Sequence, residues 1–313
     1  MEIIDVDYNE YSAIVNEPYT IFGSALFNDI NRSKCEEVYY LLFKEGKYRL
    51  GIIGGRMGGT FKSPFSAPFG GFSYVTDTVR IQYVEEAVRK LKDWAKLHNC
   101  ESIILTLPPL IYNEDFITKQ ISSLWREGFA LRSIDLNYSY NLKNFNVSYR
   151  EGLWHNARKN LKIALEAGLE FKKCSCPNEM MLAYEIISKN RQSHGYALRL
   201  SWEQISETIN IIPADFFIVS RNDLTPISSA IVFHVNKTIV QVIYWGDLPG
   251  FSELKPMNYL SYKLFEYYAN KNKSWIDIGP ASENSVPNYG LIEFKESIGS
   301  VTNAKYTFSA ALR

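Results

Sequence analysis

Cysteine and histidine are scarce in this chain, with four of each among 313 residues. Cys35, Cys100, Cys174 and Cys176 include no C-x-x-C pair, and His98, His155, His194 and His234 are scattered without ligand spacing, so free thiols and no metal are expected. Net charge is lacking too. Lys plus Arg and Asp plus Glu number 34 each, so no global field draws the protein to nucleic acid, a membrane surface or an acidic polymer. No window approaches about 18 uninterrupted apolar residues, and the opening "MEIIDVDYNEYSAIV" mixes acidic with apolar residues without a basic stretch. No membrane span or signal peptide is expected, and a cytoplasmic location follows as the default.

What is present is an ordinary globular composition, 46% hydrophobic, in a chain long enough for two domains. The periodicities predict a mixed α/β organisation in which each half runs strand, long helix, strand, short helix ending in glycine, strand. In the first half these are "YRLGIIGG" (48–55), a helix over 80–99, "ESIILTL" (101–107), a helix closed by Gly128, and "ALRSIDLNYSYNL". The second half offers a hairpin over 226–247 turning at Asn236-Lys237, a helix over 256–271, "SWIDIG", the helix "NYGLIEFKESIG" (288–299), and a strand over 303–312. The polar stretch 141–152 reads as a linker, and a basic helix over 153–168 follows, stopped by Gly168. Domains are therefore expected at 1–145 and 146–313.

The run "GIIGGRMGG" has the glycine density of a dinucleotide loop, yet "TFKSPFSAPFGGF" follows, and its prolines forbid the helix that phosphate binding there requires. It reads as a turn-rich loop whose Phe69, Gly70 and Gly71 line a cleft, glycine permitting close approach of a ligand.

The helix at 288–299 carries the most specific pattern. Its order resembles the GNAT acyltransferase superfamily motif N-x-x-A-x-x-x-Y-x-x-x-G-F, with Asn288, Leu291 and Gly299 in register and Lys295 where a tyrosine commonly protonates the departing thiolate of coenzyme A. The basic helix, with Arg158, Asn160, Lys162, Ala164 and Gly168, and the terminal GL-x-x-FK-x-x-x-G, with Gly290, Leu291, Phe294, Lys295 and Gly299, resemble the Fem-type peptidoglycan aminoacyltransferases. The resemblance spans most of residues 20–310. It implies tandem GNAT-like (acyl-CoA N-acyltransferase) domains, mixed and mostly antiparallel sheets flanked by helices, with the second domain catalytic. It also implies transfer of an acetyl or other acyl group from acetyl-CoA or a related acyl-CoA to an amine, on a small molecule or a cell-wall precursor. An aminoacyl-tRNA-dependent transferase and a non-catalytic ligand-binding or assembly protein are the alternatives, and the neutral charge balance argues against tRNA.

Each candidate residue has a functional and a structural meaning. Lys295 would stabilise an oxyanion or donate a proton, or else be a solvated lysine beside Glu296. Asp247 would be the base for the acceptor amine, or cap a turn. Tyr244, Trp245, Met257, Asn258 and Asn288 are expected around the acyl donor, Tyr244 and Trp245 otherwise being core or rim aromatics. Arg158 and Lys162, four apart on one helix face, would hold an acceptor's phosphate, or form a solvated face balanced by Glu166 and Glu170. "GDLPGFSELKPMNYL" lacks the glycine repeat of the GNAT pyrophosphate loop, although a helix starting near Pro256 still offers unpaired N–H groups to an anion. His234 reads as a packed or surface strand residue and His194 as a helix C-cap.

Overall fold

The computed structural model describes residues 1–76, 79–196 and 198–312. The chain divides into two compact units, one of Met1–Leu136, Ser282–Val286 and Asn303–Arg313, the other of Asn137–Ala281 and Pro287–Thr302. Both contain mixed, mostly antiparallel sheet flanked by helices.

In the first unit the elements are β1 (Glu2–Val6), α1 (Tyr8–Ile14), α2 (Ala25–Ile30), β2 (Glu37–Glu45), β3 (Lys47–Met57), β4 (Thr60–Ser63), β5 (Phe72–Tyr74), α3 (Ile81–Leu97), β6 (Ser102–Thr106), α4 (Glu114–Arg126) and the start of β7 (Ala130–Asn141). Strand order is β1-β2-β3-β4-β6, with β5 also on β3. β4 and β6 pair in parallel, from Thr60–Ser102 to Ser63–Leu105. Apolar residues at helical spacing along 80–99 make the face of α3 that folds inward: Val84, Ala87, Val88, Leu91, Trp94 and Ala95 are all buried. Fully burying a Val or Leu side chain stabilises by about 1.5–3 kcal/mol, so this face holds the helix to the sheet. Gly128 closes α4 with φ +81°, a conformation that favours glycine.

The second unit holds α5 (Phe145–Gly152), α6 (His155–Glu166), β8 (Glu170–Lys173), α7 (Pro177–Ser193), α8 (Trp202–Ile209), β9 (Ala214–Ser220), β10 (Pro226–His234), β11 (Ile239–Asp247), α9 (Pro256–Asn270) and β12 (Trp275–Pro280). Of the elements that follow, β13 (Ser282–Glu283) and all but the start of β15 (Val301–Ala311) belong to the first unit and α10 (Tyr289–Ser297) to the second, with β14 (Val286–Pro287) at the boundary. The order here is β7-β12-β11-β10-β9-β8. Tyr259, Leu260, Leu264, Phe265 and Tyr268 form the buried face of α9.

Three regions differ from the sequence expectation. Residues 141–152 are not a polar linker but a turn and the helix α5, in which Phe145 and Tyr149 are buried against Tyr262 with ring centroids 5.5 and 5.6 Å away. Residues 1–45 and 170–220, without a clear period, supply β1, β2, β8, β9 and four helices. The units also depart from a division at 145/146, because pairing and not chain order assigns the strands: the end of β7 pairs with β12 and β15 pairs with β6.

Candidate active site

The parallel pair β11–β12 is short. It runs for three residue pairs, Ile239–Trp275, Val240–Ile276 and Gln241–Asp277, after which the two strands part. From Val242 to Asp247, β11 pairs only with β10 among the described residues. A β-bulge falls at this point: Val242 opposes Val232 and Tyr244 opposes Ile231, leaving Ile243 as an extra residue with no partner position on β10. Bulges release main-chain groups from the ladder and re-aim the strand, so this edge can take a ligand's polar groups.

Buried polar side chains build the fork. Asp277, fully buried at the last parallel pair, accepts from Gln241 Nε2 (2.8 Å), Asn137 Nδ2 (2.8 Å) and its own chain at Gly279 N (2.8 Å). Gly279 has φ +76°, which turns β12 away from a regular strand path. The carbonyls that this turn frees meet Lys295. Its ammonium donates to Ile278 O and Gly279 O at 2.8 Å and to Pro280 O at 3.0 Å, and lies 5.8 Å from the Tyr138 ring centroid. Lys295 is 2% exposed, so it does not face solvent.

The helix that carries it is locally specified. Asn288 is the N-cap, its side-chain oxygen accepting from Leu291 N at 3.0 Å, and Gly299 follows the last turn with φ +82°. The spacing of Asn288 and Gly299 thus frames α10, and Lys295 lies on its buried face. One residue earlier, Phe294 packs edge-to-face with Trp245 of β11, ring centroids 6.0 Å apart.

Asp247, at the end of β11, lines an open cleft of about 330 Å³ with Ser193, His194, Leu248, Pro249, Gly250 and Ser252. Burial pushes its carboxyl pKa up from the ordinary range, against a main-chain hydrogen bond and the nearby His194 charge. Asn190 Nδ2 fixes the residue by donating to Asp247 O at 2.8 Å and to its carboxylate at 3.4 Å. Gly246 is required beside it, since a Cβ there would come within 2.6 Å of Asn190 Cγ. His194 caps α7, and its ring Nδ1 donates to Asn190 O at 2.8 Å. Tyr244, with its pKa raised by burial, lies under Arg191 at 5.9 Å.

The other candidates lie elsewhere or have local partners. Met257 and Asn258 occupy the first turn of α9, whose N-cap Lys255 is left-handed and makes no side-chain cap. Arg158 and Lys162 are exposed, the first donating to Glu151 O and Leu153 O and the second 3.9 Å from Glu166. Phe69, Gly70 and Gly71 belong to the first unit, where Phe69 is buried between Phe22 and Tyr112. The space beside Gly70 is filled by Ser63 and Pro64. His234 donates to, or shares a proton with, Asp215 at 2.8 Å, and Asp215 also takes Lys173 and Tyr268. Sequence reasoning missed Asp277, Gln241, Asn137 and Asn190; a carboxylate in the apolar strand "SWIDIG" is the one signal that pointed there.

No group of three or more His, Cys, Asp or Glu able to hold a metal ion occurs among the described residues, and no described helix is long and apolar enough to cross a membrane. No family model and no curated protein matches the chain by sequence. Solved structures do match in fold. FemX superposes with a TM-score of 0.71 at 12% identity, covering 99% of this chain and 97% of that one. L-PGS from Bacillus licheniformis gives 0.63 at 12% identity, covering 96% and 91%. A tandem GNAT protein from the clavulanic acid biosynthesis pathway gives 0.54 at 10% identity, covering 100% and 98%. At such identities the likeness is one of fold, and the chain has the Fem/GNAT-type fold.

Proposed function

We propose that this protein is an acyltransferase whose second unit moves an acyl group from an activated donor to an amine. The carrying observation is the fork between β11 and β12, opening beside the desolvated carboxyl of Asp247. An extended, amide-bearing donor adds to the free edge of β11 by main-chain hydrogen bonds, and Tyr244 and Trp245 flank it. The acceptor amine enters the cleft at Asp247, which takes a proton from the nitrogen as it attacks the donor carbonyl. Main-chain N–H groups of the open β11 edge next to Asp247 stabilise the oxyanion, the amide bond forms, and the donor's leaving group departs with the electron pair. Lys295, its three N–H groups engaged, transfers no proton.

Acetyl-CoA or a longer acyl-CoA is the first donor class. Its amide arm fits the β11 edge, and its phosphates would meet the first turn of α9, at Met257 and Asn258. The second class is aminoacyl-tRNA with a cell-wall precursor as acceptor. It is favoured by the segment Asp247–Lys255, which lacks the glycine repeat that cradles a pyrophosphate. Either donor places the reaction in the cytoplasm.

A melting-temperature screen separates these readings, because a ligand of the native state stabilises by mass action, about 2.7 kcal/mol at 100 times its Kd. Acetyl-CoA, longer acyl-CoAs, free CoA and charged tRNA are the probes, with tRNA binding expected to weaken steeply with salt. Stabilisation by an acyl-CoA together with thiol release on adding an amine supports the first donor. A shift without turnover across an amine panel marks a binding protein, and no shift with any probe removes the proposal.

A further inference from the structure

We infer that Lys295 is a positioning residue of the donor site, one that keeps β12 from closing onto the free edge of β11; this rests on the acyltransferase reading above. A strand leaving a parallel ladder carries main-chain carbonyls that must find donors, because an unmade hydrogen bond on a buried acceptor is costly. Beyond Asp277, β12 meets β7 again at Pro280–Asn137 on one side, while on the other it faces the edge of β11, whose residues 242–247 have no pairing with it. Re-pairing with them would erase the fork. It is prevented at three successive residues, since the carbonyls of Ile278, Gly279 and Pro280 all point to one ammonium at 2.8, 2.8 and 3.0 Å.

The charge of opposite sign does complementary work. Asp277 collects donors from β7, β11 and Gly279, while Lys295 collects acceptors one turn further along β12. An ammonium has three N–H groups and no acceptor, a donor set suited to three converging carbonyls. A lysine so engaged acts on the reaction through the strand it holds. The position of the ammonium on α10, capped by Asn288 at one end and turned by Gly299 at the other, sets the width of the fork.

The test has a part that needs no donor. In wild-type protein, the ammonium protons of Lys295 are expected to exchange slowly enough to give a 1H–15N signal, unchanged when free CoA is added. In Lys295→Met, the amides of β11 between residues 242 and 247 are expected to become at least 10-fold more protected from hydrogen exchange, as β12 closes on them. With an active donor, the same variant is expected to raise the donor KM by about 30-fold while kcat at saturating donor stays within about 3-fold. A kcat loss at unchanged KM, an ammonium signal that shifts with CoA or is absent, or unaltered β11 exchange overturns the inference. Should Lys295→Met not fold, the wild-type ammonium signal still decides. If the exchange change is seen and no probe binds wild-type protein, the acyltransferase reading alone falls.

Discussion

Each unit contains a hairpin, a long helix, and a strand that returns parallel to the hairpin's second strand, yet the two parallel pairs end differently. In the first unit β4 pairs with β6 along its entire length, and then the chain turns back over the end of β6. Gly70 N donates to Thr106 O at 2.8 Å, Gly71 N to Ser63 Oγ at 3.1 Å, and Gln120 Oε1 of α4 accepts from Phe72 N at 2.9 Å. The main-chain groups beyond the parallel pair are thus met by the protein's own "PFGGF". In the second unit β11 and β12 part after three pairs, and an ammonium and a carboxylate meet the released groups of β12 while the edge of β11 stays open. One arrangement therefore ends as a filled core and the other as an open strand edge, according to whether the following loop folds back. A loop of glycines can fold back; "GDLPGFSELKP" instead leads away to α9.

The largest expected effect breaks the second arrangement at its chemistry. Asp247→Asn keeps the shape and the Asn190 contacts but removes the proposed base, so kcat/KM is expected to fall about 10²–10⁴-fold with folding unchanged. The pH profile sharpens this. Asp247 acts when deprotonated and its pKa is raised by burial, so activity should fall off on the acidic side above the ordinary carboxylate range. A wild-type profile flat to pH 4 would remove the assignment.

Next in size is the plug of the first unit. Gly71 has φ +91°, and a Cβ there would lie 2.7 Å from Leu107 Cδ2 and 2.8 Å from Gln120 Oε1. Gly71→Ala is expected to cost about 2–4 kcal/mol, combining backbone strain with displaced core atoms. Gly250→Ala, at φ +92° with nothing within 4 Å, carries the backbone term alone, about 1–2 kcal/mol. Denaturant melts of the pair measure the difference; equal losses would mean that the plug yields.

How much of this contrast was legible beforehand follows from which signals are local. The apolar face of α3, the turn at Asn236-Lys237 and the glycines closing α4, α6 and α10 are set by neighbours in sequence, and each is found as expected. Lys295 was singled out by its motif, but its three carbonyl partners lie 15–17 residues away and their convergence depends on a left-handed Gly279. Asp277 meets Asn137 across 140 residues, a distance no periodicity reports. The glycine pair in "PFGGF" by itself suggests space for a ligand, and the atoms filling it, from Ser63, Leu107 and Gln120, are brought there by three other parts of the chain.

A third effect concerns a carboxylate with a structural meaning. Burial raises the pKa of Asp215, but hydrogen bonds from His234, Lys173 and Tyr268 outweigh it and hold the carboxyl well below its usual range. A group depressed by folding contributes stability that is complete above its unfolded pKa, about 3.9, and is lost as pH falls through and below it. Wild-type protein is therefore expected to lose more melting temperature between pH 6 and pH 3 than Asp215→Asn, by about 2 °C. Parallel acid melts for the two proteins would contradict the cluster's role.

The smallest effect is expected on the basic face of α6. Lys162 is exposed and its ammonium lies 3.9 Å from Glu166, one turn along the same helix. Exposed pairs of this spacing contribute about 0.3–0.5 kcal/mol, because solvent screens the attraction and two long side chains must be ordered to make it. Lys162→Ala should therefore change stability by no more than about 0.5 kcal/mol, and added salt should shrink even that. The contrast is with Lys295, the same residue type in the same unit, buried and ringed by carbonyls, whose removal strands three acceptors. If denaturant melts gave the two lysines similar losses, burial would not be what separates them.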